Sequence, residues 1–334
     1  MTQSIRKEDW ERYRVLGKVP PSIREVVLRS WERSKASSAV SALKAAPSLG
    51  DAELVAAHRR SRRIRTAARA GLGRAGYLLQ DADAMLLLCD ASGVVMDAVG
   101  DARILDLGRE NHLQPGGRWL ESAIGTNAIG TALHLRRPVC VSGVEHFCEE
   151  IQRWSCAATP VIDPANGAVL GVVDVSGPAG RVSPQSAALS AAMGLQIEEA
   201  LRQQDGQTHQ RMVAQALAGG GRWLNDELVL LDRFGRQVYA TGRFASAAPE
   251  FGDFEVARGL LRQGDLRDEG LLEGMRAALP GSVIDLMVEQ GEPVGVTIAL
   301  RHSRSRKGSE TLPRLDWIAA GSPAMAAVCA QARR

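Results

Sequence analysis

The chain has 334 residues, 45% of them hydrophobic and 24% charged, with a formal charge of +3 at neutral pH. That length suits about two domains, and the composition excludes collagenous, disordered and disulfide-scaffold classes. The near-balanced charge selects no polymeric partner, and no apolar run approaches the roughly 18 residues of a membrane span.

The first residues, MTQSIRKEDWERYR, have no apolar targeting core, so a cytoplasmic location without a membrane partner is expected. Cys89, Cys140, Cys148, Cys156 and Cys329 form an odd set without framework spacing, which predicts free thiols in a reducing compartment. After Pro20-Pro21, the segment SIREVVLRSWERSKA steps through Ile23, Val26 or Val27, Ser30, Trp31 and Ser34 by three or four residues, the period of a helix. Asp51 to Gln80 reads as a long Ala-rich helix flanked by Arg59, Arg60, Arg62, Arg63, Arg65 and Arg69. These arginines read as a solvated face; a nucleic-acid arm is the alternative, weakened by the lack of interleaved aromatics. Gly71-Leu-Gly73-Arg-Ala-Gly76 matches G-x-G-x-x-G, but a dinucleotide loop must follow a strand, and this one follows a helix. Residues 1–82 are thus an N-terminal helical region.

From Ala84, AMLLLCD, Ala91-Ser92-Gly93 and VVMDAVG spell strand, turn, strand. ATPVIDPANGAVLGVVDVS repeats the form, with a type I′ turn expected at Asn166-Gly167. An α+β domain with a mainly antiparallel sheet is expected over 83–182. The stretch inserted in its middle, Gly116 to Trp154, concentrates aromatics, glycines, a Cys and a His. There Thr126 is expected to cap a short helix reaching Leu133, with Gly130 allowing close packing. Ser142-Gly-Val-Glu145 is a capping box predicted to open a second helix, placing Phe147, Ile151 and Trp154 on one face.

Ser183-Pro184 opens a connecting helix, 183–220, on which Leu189, Met193, Ile197 and Leu201 recur every four residues. That stripe either packs on its own sheet or forms the seam of a homodimer passing a signal onward. An internal repeat follows: Leu86-Leu-Leu-Cys-Asp90-Ala-Ser-Gly93 returns as Leu228-Val-Leu-Leu-Asp232-Arg-Phe-Gly235. A second α+β domain, 221–301, is expected from it. Residues 302–334 begin with a basic linker, RHSRSRK.

Trp119-Leu-Glu121-Ser-Ala-Ile-Gly125-Thr126-Asn127-Ala128-Ile129-Gly130-Thr131-Ala132-Leu133, Glu145-His146-Phe147 and Trp154-Ser155-Cys156-Ala157-Ala158-Thr159-Pro160 closely resemble the sensory half of acetoin-catabolism-regulator-type activators that work with sigma-54 RNA polymerase. Ser30-Trp31-Glu32-Arg33-Ser34 resembles their N-terminal helix. The resemblance is strongest from about Ala84 to Gly177, where it implies a GAF domain; for the repeat-derived domain it implies a degenerate PAS domain. Ala320-Gly321-Ser322-Pro323-Ala324-Met325 looks like the start of the family's AAA+ domain, yet the chain holds no G-x-x-x-x-G-K-[ST] loop and no helix-turn-helix pattern. ATPase and promoter-binding activities are therefore not expected of it, and the AAA+ and DNA-binding domains of a full-length activator become its expected partners.

A GAF site here suits a small neutral effector, such as the acetoin-like ketones, diols or alcohols the resemblance implies. Trp119, Phe147, Ile151 and Trp154 would wall it, Thr126, Asn127 and His146 would anchor its oxygens, and Glu121 and Cys156 complete the candidate ligand set. No enzyme activity and no cofactor is called for. The alternative is a cysteine-based redox or metal sensor, but His146, Cys148, Cys140 and Cys156 fit no standard metal spacing. Ser122, His134 and Asp163 have nothing to mark them as a catalytic unit.

Overall fold

The computed structural model describes residues 5–36, 43–180, 184–218 and 226–301. The Ser183 cap, the start of the second domain, Cys329 and the 302–334 segment lie outside the described residues. The chain divides after Arg202 into two compact units. Both are α+β with antiparallel sheets, as expected.

The first unit opens with α1 (Lys7–Leu16) and α2 (Glu25–Ala36), then α3 (Asp51–Arg60) and α4 (Arg62–Leu78). The single long helix expected from 51 to 80 is broken at Ser61, whose ψ of 11° leaves the helical region. Among the flanking arginines, Arg63 is paired with Asp163 and Arg65 with Asp97. Gly71 and Gly76 lie inside α4 against Met193 and Val99, so the glycine motif is a packing surface and not a phosphate loop.

Then come β1 (Met85–Asp90), β2 (Val95–Gly100), α5 (Ala102–Arg109), α6 (Glu121–Ile124), α7 (Ala128–Leu135), β3 (Val139–Ser142), β4 (Trp154–Ile162) and β5 (Val169–Pro178). They form a sheet of order β2-β1-β5-β4-β3, every pair antiparallel. β1 is buried along its whole length, which is why it reads as a continuous apolar run and not an alternating one. Its neighbour β5 needs Gly171, because a Cβ there would sit 2.0 Å from the Cys89 carbonyl oxygen. The β4–β5 connection is not the two-residue type I′ turn expected: it runs from Asp163 to Ala168, and of Asn166 and Gly167 only Gly167 has positive φ, 73°. Asp163 Oδ1 instead accepts from the Ala165 amide.

One face of this sheet packs on α4 and on the first part of α8 (Pro184–Ala218). Leu189, Met193, Ile197 and Leu201 are in that layer, against Ile64, Leu72, Leu86, Leu88, Val161 and Val173, and Ile197 and Leu201 are fully buried there. Of the two roles open to the stripe, the one seen in this chain is packing on its own sheet. The opposite, inner face, which includes Trp154 at the start of β4, is covered by Ile104, Leu113, Trp119, Ile124, Ala128, Ile129, Ala132 and Ile151.

The second unit contains β6 (Glu227–Asp232), β7 (Gln237–Ala240), α9 (Phe244–Ala247), α10 (Phe254–Gln263), α11 (Glu269–Ala278), β8 (Ser282–Glu289) and β9 (Glu292–Leu300), with sheet order β7-β6-β9-β8. The repeat holds at atomic detail. Asp90 Oδ1 accepts from the amides of Ser92 and Val94, and Asp232 Oδ1 from those of Phe234 and Arg236. Gly93 and Gly235 take φ of 71° and 70°, and each hairpin shifts register at the same place, after Leu88 and after Leu230. Asp90 pairs with Gly171 and Asp232 with Gly295, where a Cβ would again meet a carbonyl oxygen, that of Leu231 at 2.2 Å. Among the described residues no helix is long and apolar enough to cross a membrane.

Candidate functional site

The short helix α7 is capped by Asn127, not Thr126. Asn127 Oδ1 accepts from the Gly130 amide at 2.9 Å, and its Nδ2 donates to the Gly125 carbonyl at 2.8 Å. Both polar atoms of Asn127 are thus engaged by its own backbone, which makes it the cap of α7. Gly130 allows the close approach expected of it: a Cβ there would lie 2.5 Å from the Glu121 amide nitrogen.

The second helix expected after Ser142 does not form. The capping box is present, but it closes only a single 3₁₀ turn, Gly143–Glu145, and the chain leaves it extended at His146. A second such turn spans Glu149–Ile151, and Trp154 is already the first residue of β4. The reason is tertiary. Arg24 takes both Glu145 carboxylate oxygens, at 2.8 and 2.6 Å, and Trp31 Nε1 donates to the Glu145 carbonyl at 2.7 Å, so that carbonyl is not available to continue a helix. Phe147, Ile151 and Trp154 consequently share no stripe. Phe147 packs with Trp10, Tyr13, Val27 and Trp31, whereas Ile151 and Trp154 belong to the inner-face core with Trp119. Trp119 and Trp154 direct their indole N–H groups to the His112 carbonyl and to Asn111 Oδ1.

What does converge is a polar cluster under α2. Ser30 Oγ donates to Glu121 Oε1 at 2.5 Å and lies 2.7 Å from Thr126 Oγ1. Ser34 Oγ lies 3.0 Å from the same Thr126 oxygen, and Thr131 Oγ1 donates to Glu121. Arg33 completes it, with Nε and Nη2 on the two carboxylate oxygens. Burial alone would push the Glu121 carboxyl up, but the hydrogen bonds from Arg33, Ser30 and Thr131 outweigh it and hold the group below the usual range. Glu121 and Thr126 therefore fasten the N-terminal helix to the domain. The sequence places Ser30, Arg33 and Ser34 on a helix but does not mark them as site residues, because no local pattern says which partner a buried serine finds.

His146 lies between the two residues that α2 holds, Glu145 and Phe147. It is fully buried; Nδ1 is 3.0 Å from the Gly143 carbonyl, and Nε2 has no partner. Burial lowers its pKa to about 4, so at neutral pH the ring is uncharged, with Nδ1 donating and Nε2 presenting a lone pair. The Phe147 amide donates to the Thr126 carbonyl at 3.3 Å, which ties this segment to the α7 entry.

The inner face carries a second polar group that the sequence reading passed over. Asp174 is fully buried on β5, between Leu87 of β1 and Ala158 of β4. Its Oδ2 accepts from Ser176, whose oxygen is also 3.0 Å from Cys156 Sγ, and its Oδ1 has no partner. A signal existed, an Asp at an inward position of the Val-rich run GVVDVS. Burial pushes the Asp174 carboxyl up to about 7. It also raises the Cys89 and Cys156 thiols well above their ordinary value, which argues against either as a reactive thiolate. Among the described residues no three His, Cys, Asp or Glu side chains converge as a metal site would need.

Comparison with known proteins agrees with this architecture. The model of the MimR N-terminal domain matches residues 6–199. The chain is 31% identical over 196 residues to the acetoin dehydrogenase operon transcriptional activator AcoR of Bacillus subtilis, covering 58% of this chain and 32% of that protein. It is 29% identical over 229 residues to the propane 2-monooxygenase operon transcriptional activator MimR of Mycolicibacterium smegmatis, covering 66% and 38%. Both relatives are transcriptional activators of operons, and the matched region spans only the minor part of each. The crystal structure of the E. coli DhaR(N)–DhaL complex aligns with 84% of this chain and 100% of the matched one, with a TM-score of 0.57 at 15% identity, a likeness of fold. From the inserted stretch, the clasping N-terminal helix and this match over more than half its length, the chain belongs to the MimR N-terminal domain family.

Proposed function

We propose that this chain is the effector-sensing region of a sigma-54-dependent activator of a catabolic operon. In this reading the first unit takes a small neutral oxygen-bearing molecule of the ketone, diol or alcohol class. The second, PAS-like unit and α8 relay the result, within a homodimer, to AAA+ and DNA-binding domains. The relatives support the regulatory part, since those named are activators of operons for acetoin and propane oxidation.

The observation that carries the effector part is His146. A neutral, fully buried imidazole with an unpartnered Nε2 is an acceptor waiting for a hydroxyl donor. An unmet buried polar atom costs about 1–3 kcal/mol, which a bound hydroxyl would recover. Phe147 and Trp31 supply apolar surface beside it, in keeping with pockets that set few polar groups in an apolar lining. Of the anchors expected from sequence, Asn127 and Thr126 are engaged elsewhere, so His146 is the one retained.

Native mass spectrometry of freshly purified protein, followed by calorimetry with a panel of two- to six-carbon ketones, diols and alcohols, tests the reading. It expects at least one panel member to bind the wild type and to bind a His146→Phe variant more weakly. Binding of charged molecules alone would reject the neutral-effector part.

A further inference from the structure

The inner face of the first sheet is apolar except at Asp174 and Ser176. Across it, the row through Asp174 reads Ala98, Leu87, Asp174, Ala158 and Val139, and the next row reads Met85, Ser176, Cys156 and Val141. The helix α7, which lies over β4 and β5, contributes Ala128, Ile129 and Ala132 to the covering layer. On the sheet Asp174 has Leu87 on one side and the small Ala158 on the other, and the small Ala128 and Ala132 are in the helix layer that covers this face. The ionisable groups around Asp174 are Cys89 on β1, Cys156 on β4 and Cys140 on β3, all thiols, and α7 brings none to this layer. No cation among the described residues balances the carboxyl; only burial and the Ser176 hydrogen bond act on it.

A carboxylate without a counter-charge in such a layer is disfavoured, which keeps the group protonated up to about pH 7. A protonated carboxyl is a donor as well as an acceptor. With Oδ2 engaged by Ser176 and Oδ1 unpartnered, the group has hydrogen-bonding capacity that the protein itself does not use. A structural role would be expected to meet that capacity, as buried polar groups are almost always paired.

We propose that Asp174, oriented by Ser176, is a ligand-binding residue whose carboxylic acid hydrogen-bonds the carbonyl or hydroxyl oxygen of a neutral effector admitted between α7 and the inner sheet face. This inference rests on the effector-sensing reading above and adds to it the donor and its protonation state. The acid form binds a neutral oxygen and the ionised form repels it, so affinity is highest at low pH. It falls about tenfold per pH unit once the acid ionises. The neighbouring thiols do not interfere, because burial moves Cys89 and Cys156 upward and out of that range.

Calorimetry on the full chain with acetoin and acetone as probes, at several values from pH 6 to 8.5, is the test. Wild-type affinity is expected to fall more than tenfold between the ends of that range. Asp174→Asn, nearly isosteric and still a donor, should bind within about threefold of wild type at pH 6 and show no fall. Asp174→Leu should lose at least fivefold at pH 6. Wild-type binding that is flat with pH overturns the proposal without need of a variant, and so does an Asn variant that keeps the fall; in either case the effector-sensing reading stands. If neither probe binds the wild type while another neutral panel member does, the same pH series on that molecule decides the matter. If no neutral molecule binds at all, both the proposal and the reading beneath it fall.

Discussion

Arg33 on α2 grips Glu121 at the start of α6 with two hydrogen bonds of 2.6 and 2.8 Å, joining residues 88 positions apart in the chain. The pair is only partly exposed, 32% at the arginine and 10% at the glutamate. Removing the cation while leaving the carboxylate beside Ser30 and Thr131 should therefore cost stability, about 1–3 kcal/mol after discounting the wet side of Arg33. Denaturant unfolding of Arg33→Met against wild type checks this, and Arg33→Lys, which loses the planar fork, should fall between. The carboxyl is held below its unfolded value, so the contribution of the cluster is present above the unfolded pKa of about 4.3 and lost as pH falls through the folded one. The deficit of Glu121→Gln should shrink accordingly in acid.

His146 and Asp174 give opposite pH slopes. His146 titrates near 4 when folded, below its unfolded value of about 6.5, so the unfolded chain binds more protons between those limits and stability rises with pH there. Asp174 titrates near 7 when folded, above its unfolded value of about 3.9, so its contribution is complete below pH 4 and is lost as pH rises to 7. The two partly cancel between about pH 4 and 6.5. In Asp174→Asn only the histidine slope remains, and the gain of the variant relative to wild type should grow by up to about 1.4 kcal/mol per pH unit toward pH 7, then level off. Unfolding free energies measured across pH 4.5 to 8 would show it.

The α8 stripe gives a test of where those side chains are used. With Met193 and Ile197 at 6% and 1% exposure against Leu72 and Val173, a Met193→Glu, Ile197→Glu double variant would bury two unpaired charges, at several kcal/mol each. It should unfold the first unit, seen as loss of its cooperative thermal transition. A folded monomer would mean instead that the stripe faces a partner.

Gly171 and Gly295 occupy equivalent places in the two sheets, each facing the carbonyl oxygen of a neighbouring strand. Alanine at either should destabilise its own unit by about 1–3 kcal/mol through forced displacement of that strand. The two substitutions should act independently, in proportion to how far each sheet can give way. Proteolysis of each variant, with fragments assigned to the two units, separates the effects.

The repeat was legible because everything it needs is local. An Asp that bonds amides two and four residues on, followed by a glycine with positive φ, specifies the same hairpin wherever it occurs. The second inserted helix was misread for the opposite reason. Ser142 and Glu145 do make their capping box, but Glu145 is held by Arg24 from 121 residues away, and nothing local to the segment announces it. The same holds for Thr126, a plausible cap by residue type whose hydroxyl goes to Ser30 and Ser34 while its neighbour Asn127 caps the helix. Sequence spacing singled out the inserted stretch; long-range contacts decided which of its polar groups remain unpartnered.

That unpartnered group makes the central claim measurable. Calorimetric titration of the chain with the neutral oxygenate panel, on wild type and on His146→Phe after both are shown to unfold cooperatively, addresses it most directly. The account predicts saturable one-site binding to the wild type, weakened in the variant by roughly 5- to 150-fold, the equivalent of one buried hydrogen bond of about 1–3 kcal/mol. Equal affinity in both proteins would contradict the placement of the effector at His146, and no binding to either would contradict the sensing of a small neutral molecule by this unit.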